Sequence, residues 1–193
     1  LFKILMIPPH LKKYNPKYFD RGKRSLIYKF KKNSKVYIIK SKHPASKAIN
    51  RLQNEAKYLK ILNKHSIGPK LIESGKDYIV YEFVKGKFIK DIKLTKHIIK
   101  QVLNQCRILD KLKINKKEMH HPVKHVLIHN KKITMIDFER CYKTKKPKNV
   151  TQFIEFLLRK NYKINIKLIK QYKTSLKETA YKKIINSIST WKL

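Results

Sequence analysis

The sequence predicts an α+β fold, with a small antiparallel sheet carrying one helix in residues 1–86 and a mainly helical part in residues 87–193. Three observations lead there. Two strand-like runs, Leu26-Ile27-Tyr28-Lys29-Phe30 and Val36-Tyr37-Ile38-Ile39-Lys40, flank a lysine-rich turn at residues 31–35, the pattern of a hairpin. Next, Ile49, Leu52, Ala56, Leu59 and Leu62 recur at helical spacing between Ser46 and Leu62. Finally, residues 95–112 place Ile98, Ile99, Val102, Leu103, Cys106, Leu109 and Leu112 on one helical face. A chain of 193 residues is long enough for a real core, as one medium domain or two small lobes.

The remaining elements follow in order. After the helix over residues 46–62, Ser66-Ile67-Gly68-Pro69 is a stop, because glycine accepts the left-handed turn and proline prevents continuation. Lys70-Leu71-Ile72-Glu73, a turn at Gly75-Lys76-Asp77 and the strand through Tyr78-Ile79-Val80-Tyr81-Glu82-Phe83-Val84 complete the sheet. Beyond residue 112 a polar stretch containing Pro122 leads into two short apolar runs, residues 126–128 and 133–136, joined at His129-Asn130-Lys131 as a second hairpin. Helices are expected over residues 150–159, 166–172 and 176–191.

Within this layout two positions conflict with their surroundings. Glu55 falls inside the apolar stripe of its helix, projecting between Leu59 and Leu62, where an unpaired carboxylate costs several kcal/mol. It therefore requires a cation, and Lys40, at the end of the preceding strand, is the nearest candidate. Asp137 closes the apolar run Thr134-Met135-Ile136, a setting suited to a phosphate and metal site. A lysine on a strand paired with a glutamate on the next helix, followed by a metal-binding acid, is how kinases hold nucleotide phosphates.

In that order, Gly22-Lys23-Arg24-Ser25-Leu26-Ile27-Tyr28, Ile38-Ile39-Lys40, Asn54-Glu55-Ala56, Ile67-Gly68-Pro69-Lys70-Leu71, Tyr81-Glu82-Phe83-Val84-Lys85-Gly86, Ile136-Asp137-Phe138-Glu139-Arg140 and Lys148-Asn149-Val150-Thr151-Gln152 span residues 22–158. Together they resemble the small archaeal protein-kinase-like proteins related to RIO kinases and to the kinase subunit of the KEOPS tRNA-modification complex. The resemblance implies a minimal bilobal protein-kinase-like fold, with an N-terminal lobe over residues 1–86 and a reduced helical C-terminal lobe over 87–193 that carries the catalytic and metal-binding segments. It implies ATP and Mg²⁺ as cofactors. Gly22, Lys23 and Ser25 would belong to the nucleotide-covering loop, Lys40 would touch the phosphates, Glu55 would orient it, Glu82, Phe83 and Val84 would meet adenine through their backbone, and Asp137 would bind the metal. Ile38 stands where kinases have a small residue over adenine, and Glu139 where their Asp-Phe-Gly motif has glycine. The catalytic loop departs further, since no Asp occurs between Asp110 and Asp137. Glu118 is a candidate base with His125 at the metal-binding position, and His120 precedes His125 at the five-residue spacing that kinases use. An active atypical serine/threonine kinase or ATPase and an inactive pseudokinase holding nucleotide or RNA are both open readings.

The 49 Lys and Arg against 12 acids give a formal charge of +37, which makes a polyanion such as tRNA, other structured RNA or a ribonucleoprotein the expected neighbour. No zinc-finger, homeodomain or RRM pattern is present, so base-specific readout is not expected. Cys106 and Cys141 are too few for a disulfide framework and fit a reducing cytoplasm. His120, His121, His125 and His129 lack the paired-cysteine spacing of a zinc site and read as loop and surface histidines. The apolar start at residues 1–7 is too short to span a bilayer, so no membrane association is expected.

Overall fold

The structure, a computed structural model, describes residues 7–22 and 24–191. It is α+β and divides into two compact units, one comprising the chain up to Val84 together with Asp137–Arg140, the other Lys85–Ile136 and the chain from Cys141 onward. The boundary lies within two residues of the expected one, but Asp137–Arg140, expected in the C-terminal part, belongs to the first unit.

The first unit is built on a five-stranded antiparallel sheet of β1 (Lys17–Arg21), β2 (Ser25–Lys32), β3 (Lys35–Lys42), β4 (Leu71–Ser74) and β5 (Tyr78–Glu82), in the order β1-β2-β3-β5-β4. The β2–β3 hairpin turns at Asn33 and Ser34, both with positive φ (47° and 61°), as in the primed two-residue turns whose twist matches paired strands. Register sets Lys40 opposite Ile27 on one side and Ile79 on the other. The edge strand β1 escapes sequence reading because all five residues are exposed and leave no alternation. Its charged ends and a bulge between Tyr18 and Asp20 make it a poor template for further pairing.

Helix α1 (Arg51–Leu62) begins five residues later than the periodicity suggests. Asn50 adopts a left-handed φ of 55° that interrupts the helix, and Ile49, expected on its apolar stripe, is 79 % exposed. From Leu52 onward the stripe holds, with Glu55 buried among Ala56, Tyr58, Leu59 and Leu62. Past the helix, Gly68 sits at φ +82°, where a Cβ would come within 2.8 Å of Leu59 and 2.9 Å of the Phe138 ring. That ring is wholly buried and fixes the Asp137–Arg140 segment in the first unit. Replacing Gly68 by Ala is therefore expected to cost roughly 2–4 kcal/mol, from left-handed strain and overpacking together. Urea unfolding measures it, and an unshifted midpoint would show that Phe138 gives way freely.

The second unit contains β6 (Lys87–Phe88), α2 (Lys96–Lys111), β7 (Ile114–Asn115), β8 (Val126–His129), β9 (Lys132–Met135), β10 (Tyr142–Lys143), α3 (Asn149–Arg159), α4 (Ile166–Ser175) and α5 (Glu178–Ser189). Two small antiparallel sheets, β6-β8-β9 and β10-β7, accompany the helices. Thr95 caps α2 by accepting from the Ile98 amide. At the other end of α2, buried Asp110 accepts from the Asn149 amide at 3.0 Å, the Asn149 side chain at 2.7 Å, the Val150 amide at 3.3 Å and the Tyr172 hydroxyl at 2.7 Å. Asp110 thus caps α3 from α2. Burial pushes its carboxyl up, and these four donors pull it back. Cys106 is fully buried on α2, and Trp191 stacks on Tyr162 with ring centroids 5.4 Å apart. Among the described residues no helix is long and apolar enough to cross a membrane.

Candidate functional site: a buried lysine among three carboxylates

Strand alternation turns Lys40 away from its neighbour Ile39 and towards α1. Its ammonium donates to Glu55 Oε2 at 2.6 Å and to Asp137 Oδ1 at 3.3 Å, with Glu139 Oε2 at 3.9 Å. Lys40 is 7 % exposed and Glu55 1 %, so each removes the cost of burying the other. The second oxygen of Glu55 accepts the Phe138 amide at 3.3 Å, tying the helix to the Asp137 segment. Glu139 is held by Arg24 Nη1 at 3.2 Å, and its carbonyl accepts from the Asn54 side chain at 2.9 Å.

Asp137 itself has φ 64°, a conformation that Asp tolerates better than most residues and that clusters at functional positions. Its side chain remains 36 % exposed, against 9 % for Glu139. Asp137 is therefore the member of the group that a ligand reaches most easily. Burial pushes the Glu55 carboxyl up, while Lys40 opposes that rise. For Lys40, burial favours the neutral amine, but the Glu55 and Asp137 carboxylates outweigh it and hold the ammonium well above its usual range. Tyr81, opposite Ile38 in the sheet, feels the same charges, and burial pushes its phenol up.

One oxygen from each of Glu55, Asp137 and Glu139 lies within 4.8 Å of the others, and among the described residues no other group of three metal-ligating side chains is so arranged. All three donors are hard carboxylate oxygens, the set that suits Mg²⁺ or Ca²⁺ and not zinc. All three carboxylates face the Lys40 ammonium, and Glu139 pairs with Arg24 as well.

At the end of β5 the Glu82 amide donates to Lys70 O and the Phe83 amide to Val36 O, both at 2.9 Å. The Val84 amide makes no hydrogen bond among the described residues, so of these three N–H groups it is the one left open. Ile38 is buried. Lys29 Nζ stands 4.3 Å from the Phe83 ring centroid and 5.1 Å from that of Phe19, giving this end of the unit a cation between two aromatic rings. The Gly22 amide closes its turn on Ser25 O at 2.9 Å, and Lys23 lies outside the described residues.

Lys40, Glu55 and Asp137 are thus brought together as expected, and Glu139, Arg24 and Asn54 are additions. The acid-x-acid pair Asp137-Phe138-Glu139 was a visible signal for Glu139, whereas nothing local marks Arg24 or Asn54. Glu118, His120 and His125 lie in the second unit. Half-buried Glu118 sits in a turn whose carbonyl accepts the His121 amide at 3.0 Å. His120 is exposed, and its carbonyl accepts from Arg159. The His125 carbonyl accepts the Ile136 amide at 2.9 Å. Compared with models of protein families and with curated proteins, the chain matches none.

Proposed function

We propose that the chain is a minimal protein-kinase-like protein that binds Mg-ATP and carries out phosphoryl transfer or ATP hydrolysis. The observation that carries this reading is Lys40, a buried cation on a strand held at 2.6 Å by Glu55 on the following helix and at 3.3 Å by half-exposed Asp137. In this reading Glu55 fixes the Lys40 ammonium against the nucleotide phosphates, the Val84 amide meets the base, and Asp137 with Glu139 holds Mg²⁺. Bound magnesium would supply charge neutralisation on the transferring phosphate. With no Asp between Asp110 and Asp137, the alternative is a pseudokinase in which the same fold holds nucleotide or RNA without turnover. ATP titration with and without Mg²⁺, followed by phosphate release, separates the two. Mg-dependent binding with turnover supports the enzyme, binding without turnover supports the pseudokinase, and no binding removes both nucleotide readings.

The excess of cations supports work beside RNA or a ribonucleoprotein, and two free buried cysteines fit a cytoplasmic setting. Affinity for tRNA is expected to fall by roughly a thousandfold or more over a fourfold rise in salt if six or more phosphates are engaged. Filter binding against tRNA, duplex DNA and heparin tests this, with little preference among base sequences expected. Absence of binding at low salt would assign the lysines to solubility alone.

A further inference from the structure

A cavity of about 180 Å³ opens in the first unit at the N-terminal end of α1, and neither Lys40, Glu55 nor Asp137 lines it. Four cations do: Arg24, Lys42, Arg51 and Lys76, against the two acids Asp77 and Glu139. In a chain of charge +37 lysines line much of the surface, so cations alone decide nothing. Two further features do. Residues 50–53 form part of the wall, and α1 has neither a side-chain cap hydrogen bond nor an acid in its first turn. Its leading amides are thus left without the partners that helix starts normally find. Ser25, 5 % exposed, is also part of the wall, and its hydroxyl makes no hydrogen bond among the described residues. It is a buried polar group presented to the cavity.

The walls are also fixed. The Lys42 amide donates to Asp77 O and the His43 amide to Arg24 O, both at 2.9 Å, and the Ser46 amide donates to His43 O at 2.8 Å. Amides at a helix start, a donor hydroxyl and several cations form the combination that binds a tetrahedral oxyanion. The volume falls below the roughly 300 Å³ at which drug-sized and cofactor pockets begin, so a single phosphate fits and a nucleotide does not.

We infer that this cavity binds a phosphate-sized dianion beside the Lys40 cluster, whose Glu139 forms part of its wall. Arg24 links the two, because the guanidinium that lines the cavity also pairs with Glu139 at 3.2 Å.

The test uses inorganic phosphate on the whole chain at constant ionic strength, followed by ³¹P NMR and by the shift in melting temperature. Saturable binding is expected. Arg51→Gln is expected to weaken it by about tenfold or more, the effect of losing one charge-assisted hydrogen bond. Ser25→Ala is expected to weaken it less, with circular dichroism confirming that both variants fold. Lys170→Gln, an exposed lysine on α4 in the second unit, is expected to leave binding unchanged. A non-saturating response, or equal losses in Arg51→Gln and Lys170→Gln, would reduce the cavity to diffuse surface charge and overturn the proposal. So would a site that takes RNA in an Arg51-dependent way but never inorganic phosphate.

Discussion

Lys40→Met is expected to destabilise the protein by about 3–5 kcal/mol at neutral pH, because it strands Glu55 as a buried, unpaired carboxylate. The size follows from burial. With Glu55 1 % exposed, water cannot take over the role of the ammonium. The pH dependence has a definite sign. Burial already raises the Glu55 carboxyl in the folded state, and removing Lys40 takes away the main opposing influence. A carboxyl with its folded pKa above its unfolded value, about 4.3, favours folding below that value and loses this contribution as pH rises through the folded pKa. The deficit of Lys40→Met relative to the parent should therefore shrink as pH falls toward 4.3 and widen toward neutrality. Lys40→Met combined with Glu55→Gln should recover much of the loss. Urea unfolding over that range measures both, and a deficit below about 1 kcal/mol without pH dependence is what an exposed pair would give.

Under the proposed nucleotide reading, Asp137→Asn is expected to remove the Mg²⁺ dependence of ATP binding while the fold survives. Asn keeps the shape of Asp, tolerates the left-handed φ of 64° that other residues resist, and occupies a side-chain position already 36 % exposed. What it loses is the anionic oxygen that a hard divalent cation requires. The contrast with Lys40→Met is informative, since that change strikes stability first and this one ligand binding alone. Equal magnesium dependence in parent and variant, measured by titration, would show that Asp137 is not the metal ligand.

Lys40 and Glu55 were also the most legible residues in the sequence. Lys40 ends an apolar strand and Glu55 interrupts an apolar helical stripe, and each anomaly lies within a window of a few residues that obeys a simple period. The start of α1 was not legible, because Ile49 continues the period by composition while the left-handed Asn50 ends the helix by backbone geometry. Strand β1 was silent because a fully exposed edge carries no alternation. Glu139 is a different case. Its setting depends on Arg24 and Asn54, 115 and 85 residues away, and no local pattern reports partners at that range. The same holds for Asp110, whose capping of α3 joins groups 39 residues apart.

The placement of the chain's natural reporters has a practical consequence. Trp191, the only tryptophan, and both cysteines belong to the second unit, whereas the Lys40 cluster belongs to the first. Indole fluorescence and thiol alkylation thus register the opening of one half of the molecule. For Cys106 the gate is double, since burial shields the thiol and also keeps it protonated until the helices part. The first unit contributes stacked rings on its sheet, where Tyr14 from the preceding 3-10 turn stacks on Phe30 and Phe30 on Tyr37, at centroid distances of 5.5 and 5.3 Å. Near-ultraviolet circular dichroism sums these rings with those of the second unit, whereas tryptophan emission observes the second unit alone. If the halves unfold separately the two signals will part along a urea ramp, and if they unfold as one cooperative body the curves will superimpose.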